Sequence, residues 1–221
     1  MSMRARFVPI LAGASLPDRL FACLGALAGI ALTSLVSALL VPGHALVLLA
    51  APMGASAVLV FAVPASPLAQ PWPVIGGNVL SALVGVTIAR LVPAPEIGVG
   101  LAVGGAILVM SLTRSLHPPG GASALIGVIG GPAVAALGYR FVIVPVALNA
   151  VLLVATGIAF HRLSRHSYPH RPAAAPPFAH PEDIDLALAE LGETLDVDRD
   201  DLDRLFARVE HHAARRSAPR R

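Results

Sequence analysis

The chain has 221 residues and a mass of 22.6 kDa; 56 % of its residues are hydrophobic and only 13 % are charged. A soluble domain typically has about 25 % charged residues, so the composition excludes a soluble enzyme, a nucleic-acid-binding domain and a disordered chain for the bulk of the sequence. The mean hydropathy of +0.75 predicts a membrane protein instead. The net charge is only +3, so the pI near 10 is not a sign of a nucleic-acid partner.

The charged residues divide the chain into two parts. Between Leu20 and Phe160 the only formal charges are those of Arg90, Glu96, Arg114 and Arg140, whereas 11 of the 13 acidic residues follow Phe160. The chain is therefore expected to consist of a cytoplasmic N-terminus (1–17), a membrane domain (18–162), a proline-rich linker (163–181) and a helical cytoplasmic tail (182–221).

The membrane domain contains several apolar segments of spanning length, since about 20 apolar residues in a helix cross the hydrocarbon core. Four segments meet this length easily: Leu20–Val41, Val74–Val92, Ile97–Thr113 and Phe141–Phe160. Two others, Leu46–Val63 and Gly121–Gly138, have 18 residues each and contain proline and glycine. We predict an all-α, polytopic bundle of six transmembrane segments; the alternative is four spans plus two re-entrant segments.

Arginines flank the outermost spans. Three precede or begin the first span and three follow the last: Arg4, Arg6, Arg19, Arg162, Arg165 and Arg171. Both segment counts are even, so the two termini lie on one side, and the positive-inside rule places that side in the cytoplasm. We expect a multi-pass protein of a bacterial inner membrane.

A short motif occurs twice. Pro52–Leu59 recurs 67 residues later as Pro119–Ile126, and both copies contain Gly-Ala-Ser-Ala. Each copy follows a long span and precedes another span that contains one asparagine, Asn78 or Asn149. Matching interrupted segments predict two inverted repeats with a substrate site near the membrane midplane. The alternative is that the small residues only pack helices together.

The motif suggests how an anion would be bound. Proline before Gly-Ala-Ser favours a helix N-terminus, whose free N–H groups attract anions. We expect Pro52 and Pro119 each to begin a helix, with the two helix starts facing one another. The expected substrate-binding residues are Gly54, Ala55, Ser56, Asn78, His117, Gly121, Ala122, Ser123 and Asn149, with Arg114 at a pore mouth.

Structural roles are the alternatives for the two titratable candidates. His117 would then brace the Pro-Pro turn by a hydrogen bond to a carbonyl, and Arg114 would be an interfacial side chain. No nucleophile in the sequence has a plausible base, and no cysteine or histidine spacing fits a metal, so we predict no catalytic residues, no cofactor and no metal site.

The segment that contains His117-Pro118-Pro119, followed by Gly-Gly-Ala, resembles the signature of the HPP family of integral membrane proteins. The segments around Gly54-Ala55-Ser56 and Gly76-Gly77-Asn78 resemble that family's pattern in the same order, and the resemblance covers residues 18–162. The tail is similar to a linker that in many bacterial relatives leads into CBS domains, which we expect this chain to lack. For some chloroplast and cyanobacterial relatives the resemblance implies nitrite transport.

Together these features predict a transporter or channel for a small inorganic anion, with nitrite as the first candidate and the lipid bilayer as its surroundings. The alternative is a membrane sensor or scaffold that signals through its tail. Two short tail helices are expected, one with Ile184, Leu188 and Leu191 on one face and one with Leu202, Leu205, Phe206 and Val209. Such helices are marginal alone and need a partner, either the cytoplasmic loops or a second copy; we expect a homo-oligomer.

Overall fold

The computed structural model describes residues 15–40, 46–164, 166–171, 181–191 and 195–217. Every regular element in these ranges is helical, which confirms the all-α prediction. The α-helices in chain order are α1 (Leu16–Leu40), α2 (Leu46–Ala57), α3 (Pro71–Leu91), α4 (Pro95–Leu112), α5 (Pro119–Ile129), α6 (Gly131–Leu137), α7 (Leu148–His161), α8 (Pro181–Leu191) and α9 (Arg199–Ser217).

Four helices in the described ranges are long and apolar enough to cross a membrane. They are α1, α3, α4 and the helix Val142–His161, in which a π-helical segment leads into α7. The four long predicted segments are therefore confirmed as apolar helices of spanning length. Pro71 and Pro95 are the first residues of α3 and α4. Proline suits this position because its missing N–H would have no partner in the first turn.

The two interrupted segments are not straight spans. The first consists of α2 and a π-helical turn over Val58–Ala62; the second bends by 93° between α5 and α6. Gly131 lies at this bend with a φ of +78°, which glycine adopts without the steric cost of a side chain. The described residues thus give four spans, or five if the bent pair crosses; six crossings and the two-fold repeat remain predictions.

The expectation of two paired helix N-termini is wrong. Pro119 does begin α5, but Pro52 lies inside α2 as its seventh residue. Proline removes one backbone hydrogen bond within a helix without necessarily ending it, and membrane helices tolerate this where neighbouring groups compensate. The first copy of the motif is therefore in the interior of a helix.

Hydrogen bonds bring the start of α1 together with the ends of α2 and α7. The Arg19 guanidinium donates to the carbonyl oxygen of Ala62 (2.5 Å), at the end of the π-helical turn. The His161 Nε2–H, at the end of α7, donates to the carbonyl oxygen of Val60 (2.9 Å). We call this end of the bundle the loop end; α1 starts there, whereas α2 and α7 end there.

The loop end also contains the start of α3 and the end of α4. The Trp72 indole N–H donates to the carbonyl oxygen of Thr113 (3.0 Å). The Tyr168 hydroxyl, which follows α7, donates to the carbonyl oxygen of Ala69 (2.9 Å), just before α3. The connections 63–70 and 113–118 therefore lie at the same end as the start of α1 and the segment that follows α7.

The backbones of α3 and α5 touch. A Cβ atom on Gly85 would overlap the carbonyl oxygen of Ala124, and one on Gly127 would lie 2.8 Å from the backbone carbon of Gly85. Farther toward the loop end, a Cβ on Gly120 would lie 2.8 Å from the carbonyl oxygen of Gly77. The two helices run parallel, and glycines permit this approach, as small residues do at helix interfaces in membranes.

The two expected tail helices are α8 and α9. Arg199 of α9 forms an ion pair with Asp185 of α8 (2.7 Å). Ile184 is buried, but Leu205, Phe206 and Val209 are exposed. Gly192, where the sequence predicts the first tail helix to end because glycine favours a helix C-terminus, lies outside the described residues. The apolar face of α9 is thus largely uncovered in a single chain.

Gly85→Ala is expected to destabilise the protein by about 1–3 kcal/mol, the usual cost of overpacking, because the added methyl group forces α3 and α5 apart. Thermal unfolding in detergent, followed by circular dichroism, measures the change. Gly100→Ala in α4 is the matched control, since a Cβ at Gly100 meets no atom within 4 Å. Equal stability of the two variants would show that the α3–α5 contact does not require glycine.

The six-segment arrangement predicts that residues 65 and 116 lie on the side of the termini and residue 93 on the other. With the exposed Cys23 replaced by serine, Ala65→Cys and Leu116→Cys are expected to react with an impermeant maleimide only after cells are permeabilised. Pro93→Cys is expected to react in intact cells. The reverse pattern would favour four spans with two re-entrant segments.

Candidate functional site

Four polar side chains from four different segments meet inside the bundle. They are Ser56 of α2, Asn78 of α3, His117 in the connection between α4 and α5, and Ser123 of α5. Each is 0 % exposed. We call these four residues the polar cluster; all four were expected site residues.

Asn78 connects the two copies of the repeated motif. Its Nδ2 donates to Ser56 Oγ (3.2 Å) and to the carbonyl oxygen of Val74 (2.9 Å). Its Oδ1 accepts a hydrogen bond from Ser123 Oγ (2.7 Å). Because a carbonyl oxygen can only accept, the bond to Val74 fixes which side of the amide carries the nitrogen.

His117 continues this chain of hydrogen bonds. Its Nδ1 lies 2.8 Å from the carbonyl oxygen of Leu68 and its Nε2 lies 2.8 Å from Ser56 Oγ. Since the carbonyl can only accept, Nδ1 carries the proton, and Nε2 of the neutral ring accepts from the Ser56 hydroxyl. The donors then all point one way, from Ser123 through Asn78, Ser56 and His117 to the Leu68 carbonyl.

The polar cluster has no formal charge, and its donors are directed at one another. Buried polar groups are costly unless hydrogen-bonded, and this arrangement meets that requirement without any bound ion. An anion can be bound here only if hydroxyl or amide donors turn away from their present acceptors. In the described arrangement, the hydroxyl, amide and imidazole donors named above therefore all have acceptors within the protein.

The polar cluster lies slightly to the loop-end side of the middle of α3 and α5. Asn78 is the eighth residue of α3 and Ser123 the fifth of α5, and both helices start at the loop end. At 1.5 Å per residue, Asn78 is about 10 Å from the start of α3. Asn78 and Ser123 are therefore close to the middle of their helices, and a site near the membrane midplane stays a prediction.

Gly54 and Gly121, the glycines of the two Gly-Ala-Ser motifs, are not closely packed, whereas Gly77 is. Gly54 and Gly121 are half-buried, and a Cβ on either would meet no atom within 4 Å. A Cβ on Gly77 would instead lie 2.6 Å from the Cβ of His117. Ala55 is exposed and Ala122 half-buried. The open space beside Gly54 and Gly121 does not support a role for them in close helix packing.

The first amides of α5 are engaged. Gly120 N–H donates to the carbonyl oxygen of His117 (2.8 Å) and Gly121 N–H to that of Pro118 (3.0 Å). The expectation that the Gly121 amide is free for an anion is therefore wrong, because the tight turn before Pro119 supplies acceptors for both groups.

Two expected site residues lie elsewhere. Asn149 Oδ1 accepts a hydrogen bond from Ser37 Oγ (2.9 Å), which ties α7 to α1. Arg114 is exposed at the end of α4, with a φ of +53°. Its position at the loop end is compatible with both the pore-mouth and the interfacial interpretation.

Sequence reasoning missed two groups beside the polar cluster. The Leu68 carbonyl holds His117, and no sequence pattern identifies a backbone acceptor. Ser81 is also fully buried, and its Oγ has no hydrogen-bond partner among the described residues. Its position three residues after Asn78 on α3 places both on one helix face, a spacing that could have identified it.

A groove of about 910 Å³ lies at the loop end, apart from the polar cluster. Its lining includes Asp18, Arg19, Phe61, Phe160, His161 and His166, from the start of α1, the π-helical turn, the end of α7 and the segment after it. None of the four cluster residues lines it. The groove and the polar cluster are separate features.

Ser123→Ala is expected to lower the free energy of unfolding by about 1–3 kcal/mol, because it leaves Asn78 Oδ1 buried without a donor. Ser111→Ala is the matched control, since the exposed Ser111 hydroxyl only bonds the carbonyl oxygen of Ile107 in its own helix. Unfolding by denaturing detergent, followed by loss of helicity, measures both variants. Indistinguishable stabilities would argue against a tightly bonded cluster.

Comparison with known proteins gives the family. Two transmembrane proteins of Dictyostelium discoideum match 120 residues each, the first at 44 % identity over 52 % of this chain and 42 % of its own length. The second has 39 % identity over 52 % of this chain and 38 % of its own length, so the match covers less than half of either relative. No solved structure matches the chain. The model of the HPP transmembrane region matches residues 12–169, more than half of the chain, which therefore belongs to the HPP family of membrane proteins.

Proposed function

We propose that this protein is a transporter or channel for a small inorganic anion, with nitrite as the first candidate, and that the polar cluster is its binding site. The supporting observation is that buried polar side chains from four separate segments meet at one place in a helical membrane bundle. Polar side chains are rare in membrane interiors because burial is costly, and where they gather they commonly mark a substrate pathway.

The chemistry of the polar cluster suits a small anion. Such an ion needs hydrogen-bond donors in place of water, and Ser56, Ser123 and the Asn78 amide supply neutral ones. To bind it, the Ser123 hydroxyl leaves Asn78 Oδ1 and the Ser56 hydroxyl leaves His117 Nε2. The imidazole then has an unpaired Nε2, and a proton taken up there would add a charged donor beside the anion. This arrangement favours coupling of anion and proton movement.

The approach to the polar cluster is proposed to run beside Gly54 and Gly121. Each precedes a cluster serine by two residues, and each has open space where a side chain would project. Ala55 and Ala122 lie beside the same path. A larger side chain at either glycine would fill this space without meeting the packed α3–α5 contact.

Gly54→Val and Gly121→Val are each expected to reduce anion flux at least ten-fold while the protein still folds, because the new side chain occupies open space. Flux into proteoliposomes is measured for nitrite, nitrate, formate and chloride. Gly100→Val, also in open space but on α4 away from the cluster, is expected to keep normal flux. Ser123→Ala is expected to weaken anion binding by about 0.5–1.5 kcal/mol.

Normal flux in both motif variants at equal protein amounts would contradict a path beside these glycines. Absence of flux for every anion with the unmodified protein would contradict the transport proposal itself. That second result would favour the alternative, a membrane sensor or scaffold, which is supported by hydrogen bonds between the tail and the loop end.

The proposal includes the surroundings of the protein. We place it in a bacterial inner membrane with both termini in the cytoplasm, as the flanking arginines favour. The exposed apolar residues Leu205, Phe206 and Val209 on α9 support association of chains through their tails.

A further inference from the structure

A five-residue segment at the loop end, residues 66–70, contacts the polar cluster on one side. We call it the clasp segment. It contains a short 3-10 helix, Pro67–Ala69, and the Leu68 carbonyl oxygen accepts the hydrogen bond from His117 Nδ1 (2.8 Å). This carbonyl is the terminal acceptor of the directed chain that begins at Ser123. The clasp segment therefore sets the position of His117.

The same segment is bound by the chain that follows α7. The Tyr168 hydroxyl donates to the carbonyl oxygen of Ala69 (2.9 Å), and the His170 N–H donates to Gln70 Oε1 (2.8 Å). Ser66 Oγ donates to Asp196 Oδ1 (2.8 Å) in the tail. Three hydrogen bonds thus connect the clasp segment to residues that follow the membrane domain.

The hydrogen bond from Tyr168 to the clasp segment is buried. Tyr168 is 7 % exposed, and burial raises the pKa of its phenol above the ordinary value, so the hydroxyl keeps the proton that it donates. His170 Nε2 lies 2.8 Å from Asp201 Oδ2, which connects this segment to α9. Tyr168, His170 and α9 therefore form one connected support for the clasp segment.

The clasp segment is also internally braced. Ser66 Oγ accepts from Leu68 N–H (3.2 Å), and Gln70 Nε2 donates to the carbonyl oxygens of Ser66 (2.8 Å) and Pro64 (3.0 Å). A segment held by such bonds moves as a unit. Displacement of Ala69 or Ser66 therefore displaces the Leu68 carbonyl as well.

We propose that the segment 166–171 after α7 and the tail together form a strap that holds the clasp segment, and through it the polar cluster, in the described arrangement. While Tyr168 and Asp196 hold the clasp segment, Leu68 keeps the proton on His117 Nδ1, and Nε2 keeps the Ser56 hydroxyl as its donor. When the strap detaches from the clasp segment, the Leu68 carbonyl moves away from His117. The hydroxyl and amide donors of the polar cluster can then turn away from their present acceptors. By reciprocity, rearrangement of the polar cluster loosens the tail.

The test is hydrogen–deuterium exchange of the full chain in lipid nanodiscs. Tyr168→Phe and Asp196→Ala each remove one bond to the clasp segment without touching the polar cluster. Combined, they are expected to speed exchange about five-fold or more at residues 66–70, the factor that corresponds to one net hydrogen bond. The decisive peptide covers residues 115–121, where the Gly120 and Gly121 amides depend on the turn at His117; we expect a similar increase there.

Asp185→Ala is the matched control, because it breaks an ion pair between α8 and α9 that does not reach the clasp segment. It is expected to leave residues 115–121 unchanged. Faster exchange at 66–70 with unchanged exchange at 115–121 would overturn the proposal, since the tail would then hold the segment but not His117. No change at either place would overturn it too.

The reverse direction uses His117→Asn, which is expected to speed exchange of the tail peptide 195–204 through the same segment. Unchanged exchange in that peptide, in a variant that remains helical and monodisperse, would contradict the reciprocal coupling. None of these measurements depends on transport. The strap proposal can therefore be contradicted without affecting the anion proposal, and the anion proposal can be contradicted without affecting the strap proposal.

Discussion

The contact between the backbones of α3 and α5 is the constraint on which the interior of this protein depends. Lipid tails are as apolar as leucine, so helices in a membrane associate through close packing and hydrogen bonds rather than through the hydrophobic effect. Gly85 and Gly127 allow the two backbones to touch. At that separation Ser123 is within reach of the Asn78 amide, and α2 completes the cluster with Ser56. Packing and polar pairing thus depend on each other.

The hydrogen bonds of the polar cluster all run in one direction, from Ser123 to the Leu68 carbonyl. Each of its three hydroxyl and amide links has one donor and one acceptor. Two backbone carbonyls fix the direction: that of Val74 orients the Asn78 amide, and that of Leu68 places the proton on Nδ1 of His117. Hydrogen bonds in such a chain polarise one another, so changing one link affects the others. A neutral cluster of this kind satisfies its own hydrogen-bonding groups and contains the donors that the proposed anion would need.

Several hydrogen bonds between different segments of the described chain lie at the loop end. The carbonyls at the end of the α2 segment accept from Arg19 and from His161, and a basic side chain is favourable at a helix C-terminus because of the helix dipole. The clasp segment and the tail add their hydrogen bonds at the same end. The first part of the predicted linker is therefore not a free connector, since Tyr168 is buried against the membrane domain.

The sequence by itself determined the membrane class, the four long apolar helices and the helix start at Pro119, because hydropathy and proline act locally along the chain. It also identified Ser56, Asn78, His117 and Ser123, since polar residues stand out in apolar segments. Only the tertiary structure decided that Pro52 lies within a helix, that Asn149 pairs with Ser37, and that a backbone carbonyl at Leu68 holds His117. Which polar groups meet depends on the rotation and register of packed helices, and a carbonyl acceptor is present at every residue, so neither can be read from the order of side chains.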